Sequence, residues 1–334
     1  MPSSTAPPPG DWLAAAPGAV QAVNRFVEVN RPPEADSASL CGEIGRYYGL
    51  PRDAVLVGPG TASLLHGIVA RHAPAGGSVV FSEPSFFLYR WLVEAYGLTH
   101  RAVPLRDYRH DVAAIGAAIT QDTRLVLVDS PNNVTGTTIS LPEVRALAQR
   151  LPAGAVLVFD NVYGEYAPER IESDFGSTIG SGLPIVICRS FSKARQLFGL
   201  RVGYLLGAPS LLRAVGPRVL RYDVSGPAQA AAVASMQDEE SMRRNVRLMA
   251  AAVEEAAALL GAQGFRVVAG HAGSVLIDCR ERGPALPDAL RSAGCDVRSD
   301  HPGLPDHVQL LISDHTTVGR VRAALRSASL TGAT

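Results

Sequence analysis

Between Leu56 and Gly207 short apolar runs alternate with stretches of helical periodicity. The runs fall at 78–81, 125–128, 156–159, 185–187 and 202–205. They lack the polar alternation of a strand with one wet face, and most are rich in β-branched residues. That predicts strands covered on both sides. Amphipathic stretches at 62–71, 86–96 and 141–150 lie between them and predict helices. The alternating order argues an α/β fold with a mostly parallel sheet flanked by helices. After about residue 224 the texture changes. The segment 228–260 is Ala-rich and charged and predicts long helices. Strand signals follow at 265–268, 275–278 and 308–313, then a last helix at 318–327. This is the pattern of a smaller α+β domain, expected to pack with the N-terminal arm. The chain up to about residue 50 is proline-rich and predicted irregular, apart from one helix over 37–48. The expected division is an arm over 1–36, a large domain over 37–235 and a small C-terminal domain over 236–334.

A length of 334 residues is ample for a buried core. Apolar residues at 47% and charged residues at 19% give a soluble balance. No apolar run reaches the ~18–20 residues that span a bilayer, so no membrane partner is expected. Met1 to Gly10 carries neither a basic stretch nor an apolar run, so a secretory signal is not expected and a cytoplasmic enzyme is. The net charge of zero gives no reason to expect a nucleic-acid partner. Cys41, Cys188, Cys279 and Cys295 are scattered without metal-ligand spacing, and the eight histidines form no HExxH. No metal is expected.

One compositional skew points to chemistry. Of 31 basic residues, 30 are arginine, and Lys193 is the only lysine. Arginine can replace a surface lysine, but its guanidinium stays protonated and forms no Schiff base. A lysine retained alone in such a chain is a candidate nucleophile.

The residues around it support that. Ser190-Phe191-Ser192-Lys193 follows a predicted strand, with Gly199, Arg201 and Gly203 after it. Ligands of open α/β sheets bind beyond the carboxyl ends of the strands. Hydroxyls at Ser190 and Ser192 and the guanidinium of Arg201 suit a phosphate. Asp160 ends another predicted strand, and Tyr163 follows on the turn. That carboxylate can pair with a protonated ring nitrogen and the phenol can bond a ring oxygen. Asn133, in Ser130-Pro131-Asn132-Asn133-Val134-Thr135-Gly136, can donate to the same oxygen. Gly58-Pro59-Gly60-Thr61-Ala62 precedes a helix whose N-terminal amides suit a phosphate. Phe86 can stack on a planar ring. Each also has a plain structural reading: a solvated turn, a helix N-cap, an Asn/Pro/Gly turn or an ordinary core aromatic. Their occurrence in this order is hard to obtain by accident.

With these motifs the chain resembles the fold-type I, pyridoxal-phosphate-dependent class I/II aminotransferases, and is most similar to the histidinol-phosphate aminotransferase branch. The resemblance spans roughly residues 30–325. It implies pyridoxal 5'-phosphate as cofactor, held as an internal aldimine on Lys193. Asp160 would face the ring nitrogen, Tyr163 and Asn133 the ring oxygen, and Phe86 the ring face. Gly60, Thr61, Ala62, Ser190, Ser192 and Arg201 would surround the phosphate. The implied partners are a small amino substrate and a keto-acid acceptor, and the implied assembly is a homodimer.

The substrate side departs from the family. Its carboxylate-gripping arginine falls on Gln309, expected as a substrate-binding residue that can hydrogen-bond a carboxylate but gives no charge-assisted bidentate pair. Its substrate-side arm is reduced to Pro8, Pro9 and Gly10, and the tyrosine that reaches the neighbouring subunit falls on Pro32. Arg189, Arg195 and Arg320 are alternative sources of the missing charge. The expected function is transamination of an amino acid or related amine. The alternatives are decarboxylation, elimination or cyclisation, or oxidation on the same fold in specialised biosynthesis. A non-catalytic pyridoxal-phosphate-binding protein is the remaining alternative.

Overall fold

The computed structural model describes residues 13–72, 77–216, 222–280 and 285–327. Its larger sheet contains seven strands: β1 (Val55–Gly58), β2 (Ser78–Glu83), β3 (Thr99–Pro104), β4 (Thr123–Asp129), β5 (Val156–Asp160), β6 (Ile185–Ser190) and β7 (Gly203–Gly207). Their spatial order is β1-β7-β6-β5-β4-β2-β3. The run from β6 to β3 is parallel, and β7 is antiparallel to both its neighbours. The doubly apolar strands have the predicted consequence. Val126, Val128, Leu157, Phe159, Ile185 and Ile187 face one core. Leu125, Leu127, Val156, Val158, Val186 and Cys188 face another. The first core is closed by α2 (Ala38–Tyr48), α6 (Leu141–Ala148) and α9 (Gly226–Met236), and the second by α3 (Thr61–His72) and α4 (Leu88–Ala95). The remaining helices of this part are α1 (Pro17–Asn24), α5 (Val112–Ala118), α7 (Phe175–Gly180) and α8 (Pro209–Val215).

Beyond α9 comes α10 (Glu239–Ala262), begun by the Asp238 side chain accepting from Ser241 N at 2.9 Å. It packs under an antiparallel sheet of β8 (Arg266–Ala269), β9 (Ser274–Asp278), β10 (Asp296–Arg298) and β11 (His307–Leu311), ordered β10-β11-β9-β8. α11 (Leu286–Ser292) and α12 (Thr317–Ser327) complete this unit.

Four elements differ from expectation. The stretch predicted irregular holds α1, which Pro17 starts because a first-turn proline sacrifices no helical N–H bond. α1 packs along α9, while Leu13, just before it, touches the core of the smaller unit. β3 was not expected because it is the sheet's edge, where Thr99, Arg101 and Ala102 are not buried and no apolar run is needed. β1 and β10, of four and three residues, are too short for a periodicity to register.

The two units meet through backbone. Gly136 has φ +68°, and a Cβ there would lie 2.5 Å from Gly270 Cα and from His271 N. His271 N donates to Gly136 O at 2.8 Å across this approach. A side chain at 136 would therefore hold the two units apart and strain the turn. Gly136→Ala is expected to cost at least about 2 kcal/mol in urea unfolding and to weaken cofactor retention, whereas Gly154→Ala, also at positive φ but with open space around it, should lose only the backbone strain of about 1 kcal/mol. Equal losses in the two variants would show that the close approach is unimportant.

Candidate active site

The parallel register of β4, β5 and β6 sets Asp129 beside Asp160 and Asp160 beside Cys188 at one sheet edge. The turns leaving these strands carry most of the residues singled out above. Asp160 is 2% exposed. Tyr89, on α4, donates its hydroxyl to Asp160 Oδ2 at 2.9 Å. Oδ1 has no hydrogen-bond partner among the described residues. Burial, and then the neighbouring Asp129 carboxylate, push the Asp160 carboxyl up to about 7, against the pull of the Tyr89 hydroxyl, the Val162 backbone N–H and Lys193. A buried carboxylate with one open oxygen is suited to a cationic N–H donor from a ligand.

The other residues expected to face the ring gather around it. Asn133 Nδ2 donates to Tyr163 Oη at 3.4 Å, so both polar groups reach one point. Lys193 Nζ lies 4.6 Å from the centre of the Tyr163 ring and 5.8 Å from that of Phe198. The lysine, the aspartate, the tyrosine and the asparagine are thus brought together from three different strand ends.

An anion cradle lies beside them. Gly60 has φ +84°, and a Cβ there would sit 2.8 Å from Arg201 Nη2. A Cβ at Gly203 would sit 2.7 Å from Thr61 N, at the start of α3. The two glycines therefore let a guanidinium and a strand close on a helix N-terminus, where free amides and the dipole favour a phosphate. Arg201 itself holds a left-handed backbone, φ 54° and ψ 60°, a local strain consistent with a constrained site. Ser190 Oγ accepts from Ser192 N at 3.0 Å, which leaves the Ser190 O–H free to donate outward. Ser192 is buried in the same turn.

Phe86 precedes α4 and stands edge-on to Phe87 and Tyr89. It lines a cavity of about 490 Å³ with Asn133, Val134, Arg298, His301 and Gln309. Gln309 is 2% exposed, and its amide nitrogen donates to Asn133 O at 2.8 Å and to Ser274 Oγ at 3.0 Å. Both its N–H donors are committed to protein, so Gln309 ties the smaller unit to the Asn133 turn. The three arginines considered as replacements are engaged elsewhere. Arg189 is buried against Glu165 and Glu172, Arg195 pairs with Glu239, and Arg320 with Asp314. The residue not anticipated is Arg298. It is the direct cross-strand partner of Gln309 and lines the same cavity. No carboxylate stands within ion-pair distance of it among the described residues. Only the cross-strand register could have exposed it, because eleven positions of chain separate the two. Pro8, Pro9 and Gly10 lie outside the described residues, and Pro32 is in the segment between α1 and α2.

The sequence profile of aminotransferase class I and II matches residues 3–325. The chain belongs to that family. Among the relatives of this aminotransferase, the aromatic amino acid aminotransferase of Corynebacterium jeikeium is 35% identical over 277 residues, covering 81% of this chain and 74% of the relative. Histidinol-phosphate aminotransferase 2 of Ralstonia nicotianae is 32% identical over 302 residues, covering 89% and 81%. The solved structure of histidinol-phosphate aminotransferase from Sinorhizobium meliloti in complex with pyridoxal-5'-phosphate superposes with a TM-score of 0.87 at 25% identity, covering 94% and 88%. The aminotransferase uses pyridoxal phosphate, and its residues fit that group. The open Asp160 oxygen suits a pyridinium N–H, and the Gly60–Arg201 cradle suits the phosphate.

The raised Asp160 carboxyl makes a stability prediction for the protein freed of cofactor. The folded state binds a proton here near pH 7 that the unfolded chain releases near its ordinary value of 3.8. Stability from this group is therefore present at low pH and is lost as pH rises through about 7. The melting temperature of wild-type apoprotein minus that of Asp160→Asn should fall between pH 5 and pH 8. Pyridoxal phosphate should flatten the difference by supplying a cation. A pH-independent difference would show that Asp160 is ionised throughout.

Proposed function

We propose that this aminotransferase takes an amino donor with a flat, largely apolar side chain and an anionic group, and passes the amino group to a keto acid. Arg298 carries this reading. It is exposed, has no ion-pair partner among the described residues, and lines the cavity that Phe86 and Asn133 share, next to the position where Gln309 offers no charge. Phe87, Val134 and Pro302 give that cavity its apolar wall. The relatives named for aromatic amino acids and for histidinol phosphate accord with a ring-bearing, acidic substrate.

Bound pyridoxal phosphate supplies an electron-withdrawing ring that stabilises negative charge at the substrate's Cα. The chain's own residues do the rest. Arg201, Ser190, Ser192 and the Gly60–Thr61–Ala62 turn bind the phosphate. Asp160 accepts from the ring nitrogen and keeps its proton in place. Asn133 and Tyr163 donate to the ring oxygen, and Phe86 covers one face. Lys193 anchors the cofactor covalently through its amine. The same amine would carry the proton from the substrate's Cα as general base and return it as general acid.

The same reading takes 1–36 as an arm, 37–235 as the cofactor domain and 236–334 as the small domain. It also takes the working unit as a homodimer in the cytoplasm. Val27, Val29, Phe87, Trp91 and Tyr222 are exposed apolar side chains that a second copy would cover. Mass measurement in solution should give twice the chain mass of 35.1 kDa.

Two substitutions test the assignment. Lys193→Ala should lower turnover by a factor of about 10³ or more and remove the visible absorbance of covalently held cofactor, while pyridoxal phosphate still binds. Arg298→Gln should raise KM roughly tenfold for donors that carry an anionic group and leave cofactor affinity intact. A panel of carboxylate- and phosphate-bearing donors identifies which anion it serves. If Arg298→Gln treats acidic and neutral donors alike, the substrate assignment is wrong.

A further inference from the structure

Asp129 is the second buried carboxylate at the sheet edge, 2% exposed, and four donors converge on it. Ser85 Oγ donates to Oδ1 at 2.6 Å, and Asn132 Nδ2 to the same oxygen at 3.2 Å. Asn133 N donates to Oδ2 at 2.6 Å. His110 Nε2 stands 3.2 Å from Oδ1 and 2.7 Å from the Asp129 carbonyl oxygen. Both of those atoms are acceptors, so Nε2 carries the hydrogen.

These donors come from both walls of the cofactor slot. Ser85 immediately precedes Phe86, on the turn between β2 and α4. Asn133, with Asn132 bracing it through Val134 N and Thr135 N, forms the turn between β4 and α6. Asn132 Nδ2 also reaches Pro84 O at 3.2 Å and so joins the same two turns. A neutral side chain could not accept from all four. Electrostatically the carboxylate is unhelpful to the apoprotein, since it lies beside Asp160 and raises its carboxyl. Its geometry is therefore what the site gains.

We propose that Asp129, backed by His110, is a positioning residue that locks the Phe86 wall and the Asn133 wall of the slot at a fixed separation. This rests on the cofactor assignment above. Asp129 acts through Phe86, whose approach to the ring it sets, and through Asn133, whose donation to the ring oxygen it aims. His110, Tyr89 and Asp160 are the titratable groups facing Asp129, and Tyr89, Lys193 and Cys188 are the charged or ionisable groups facing Asp160.

The test uses the full chain with three readouts: the dissociation constant of pyridoxal phosphate, the melting temperature of the apoprotein, and the pH midpoint of the bound cofactor's visible band. Donation from Asn133 to the ring oxygen favours the deprotonated bound cofactor and holds that midpoint low. Loss of a nearby negative charge alone would lower it further. In Asp129→Asn the proposal expects affinity to fall at least tenfold and the midpoint to rise by half a unit or more. Ser85→Ala leaves the carboxylate in place and frees only the Phe86 wall. It should lose affinity about threefold, the net worth of one hydrogen bond, at an unchanged midpoint. A fall in the Asp129→Asn midpoint would overturn the proposal in favour of a charge effect. Unchanged affinity and midpoint would overturn it outright, as would affinity lost only in step with apoprotein melting. Should Asp129→Asn fail to fold, unaltered affinity in Ser85→Ala is the overturning result. A wild-type protein that binds no pyridoxal phosphate would instead defeat the cofactor assignment itself.

Discussion

A carboxylate oxygen without a partner inside a protein is expensive, because the water it gave up is not replaced. Asp160 carries such an oxygen at the centre of the larger sheet, and its surroundings make it less comfortable still. Asp129 lies alongside in register, and the single hydroxyl of Tyr89 serves only the other oxygen. The carboxyl can relieve this by taking up a proton or by accepting from a ligand's donor. A pyridinium N–H at the open oxygen would do so with a charge-assisted bond in a low-dielectric site, where it is strongest. On the proposed placement the cofactor would be part of what makes the sheet edge stable, and the motifs around it would serve to hold a flat cation there by its far end, its face and its side.

The rest of the chain supplies rigidity for that edge. Asn161, next to Asp160, is gripped by Arg189, which is itself buried between Glu165 and Glu172. Such an ion cluster contributes little net stability, yet breaking it by removing one partner is costly. Its effect here is to fix the turn that carries Tyr163. The smaller unit contributes in the same way. Gln309 and His271 bind backbone carbonyls of the Asn133 turn and of Gly136. Movement of the small unit would consequently be felt at a residue proposed to face the cofactor ring.

Much of this was legible in the chain. The solitary Lys193 stood out by chemistry, and Asp160, Asn133 and Ser190 by following apolar runs that could only be buried strands. Runs buried on both faces are long-range consequences that leave a local trace. The edge strand β3 leaves none, since half its side chains meet water. Asp129 and Arg298 were overlooked for a different reason. An aspartate at a strand end is ordinary, and an arginine in a polar stretch more so. Their roles come from partners 19 to 44 positions away, as His110 and Ser85 are from Asp129, or from a cross-strand register that no periodicity encodes.

Arg298 also shows why a missing residue need not mean a missing interaction. Directly paired residues of an antiparallel ladder project to the same face with Cβ atoms about 4.5–5.5 Å apart. A guanidinium on a side chain as long as arginine's covers that distance. Charge lost at position 309 can therefore be supplied from position 298 without moving either strand. The exchange leaves an amide at 309, which is free to bind the Asn133 carbonyl in a way that a guanidinium serving a substrate anion is not. Separating the two tasks, one residue for the anion and one for the domain contact, lets substrate preference change at 298 while the cofactor-facing turn stays fixed. That accounts for a cofactor site that keeps the family pattern beside a substrate site that departs from it.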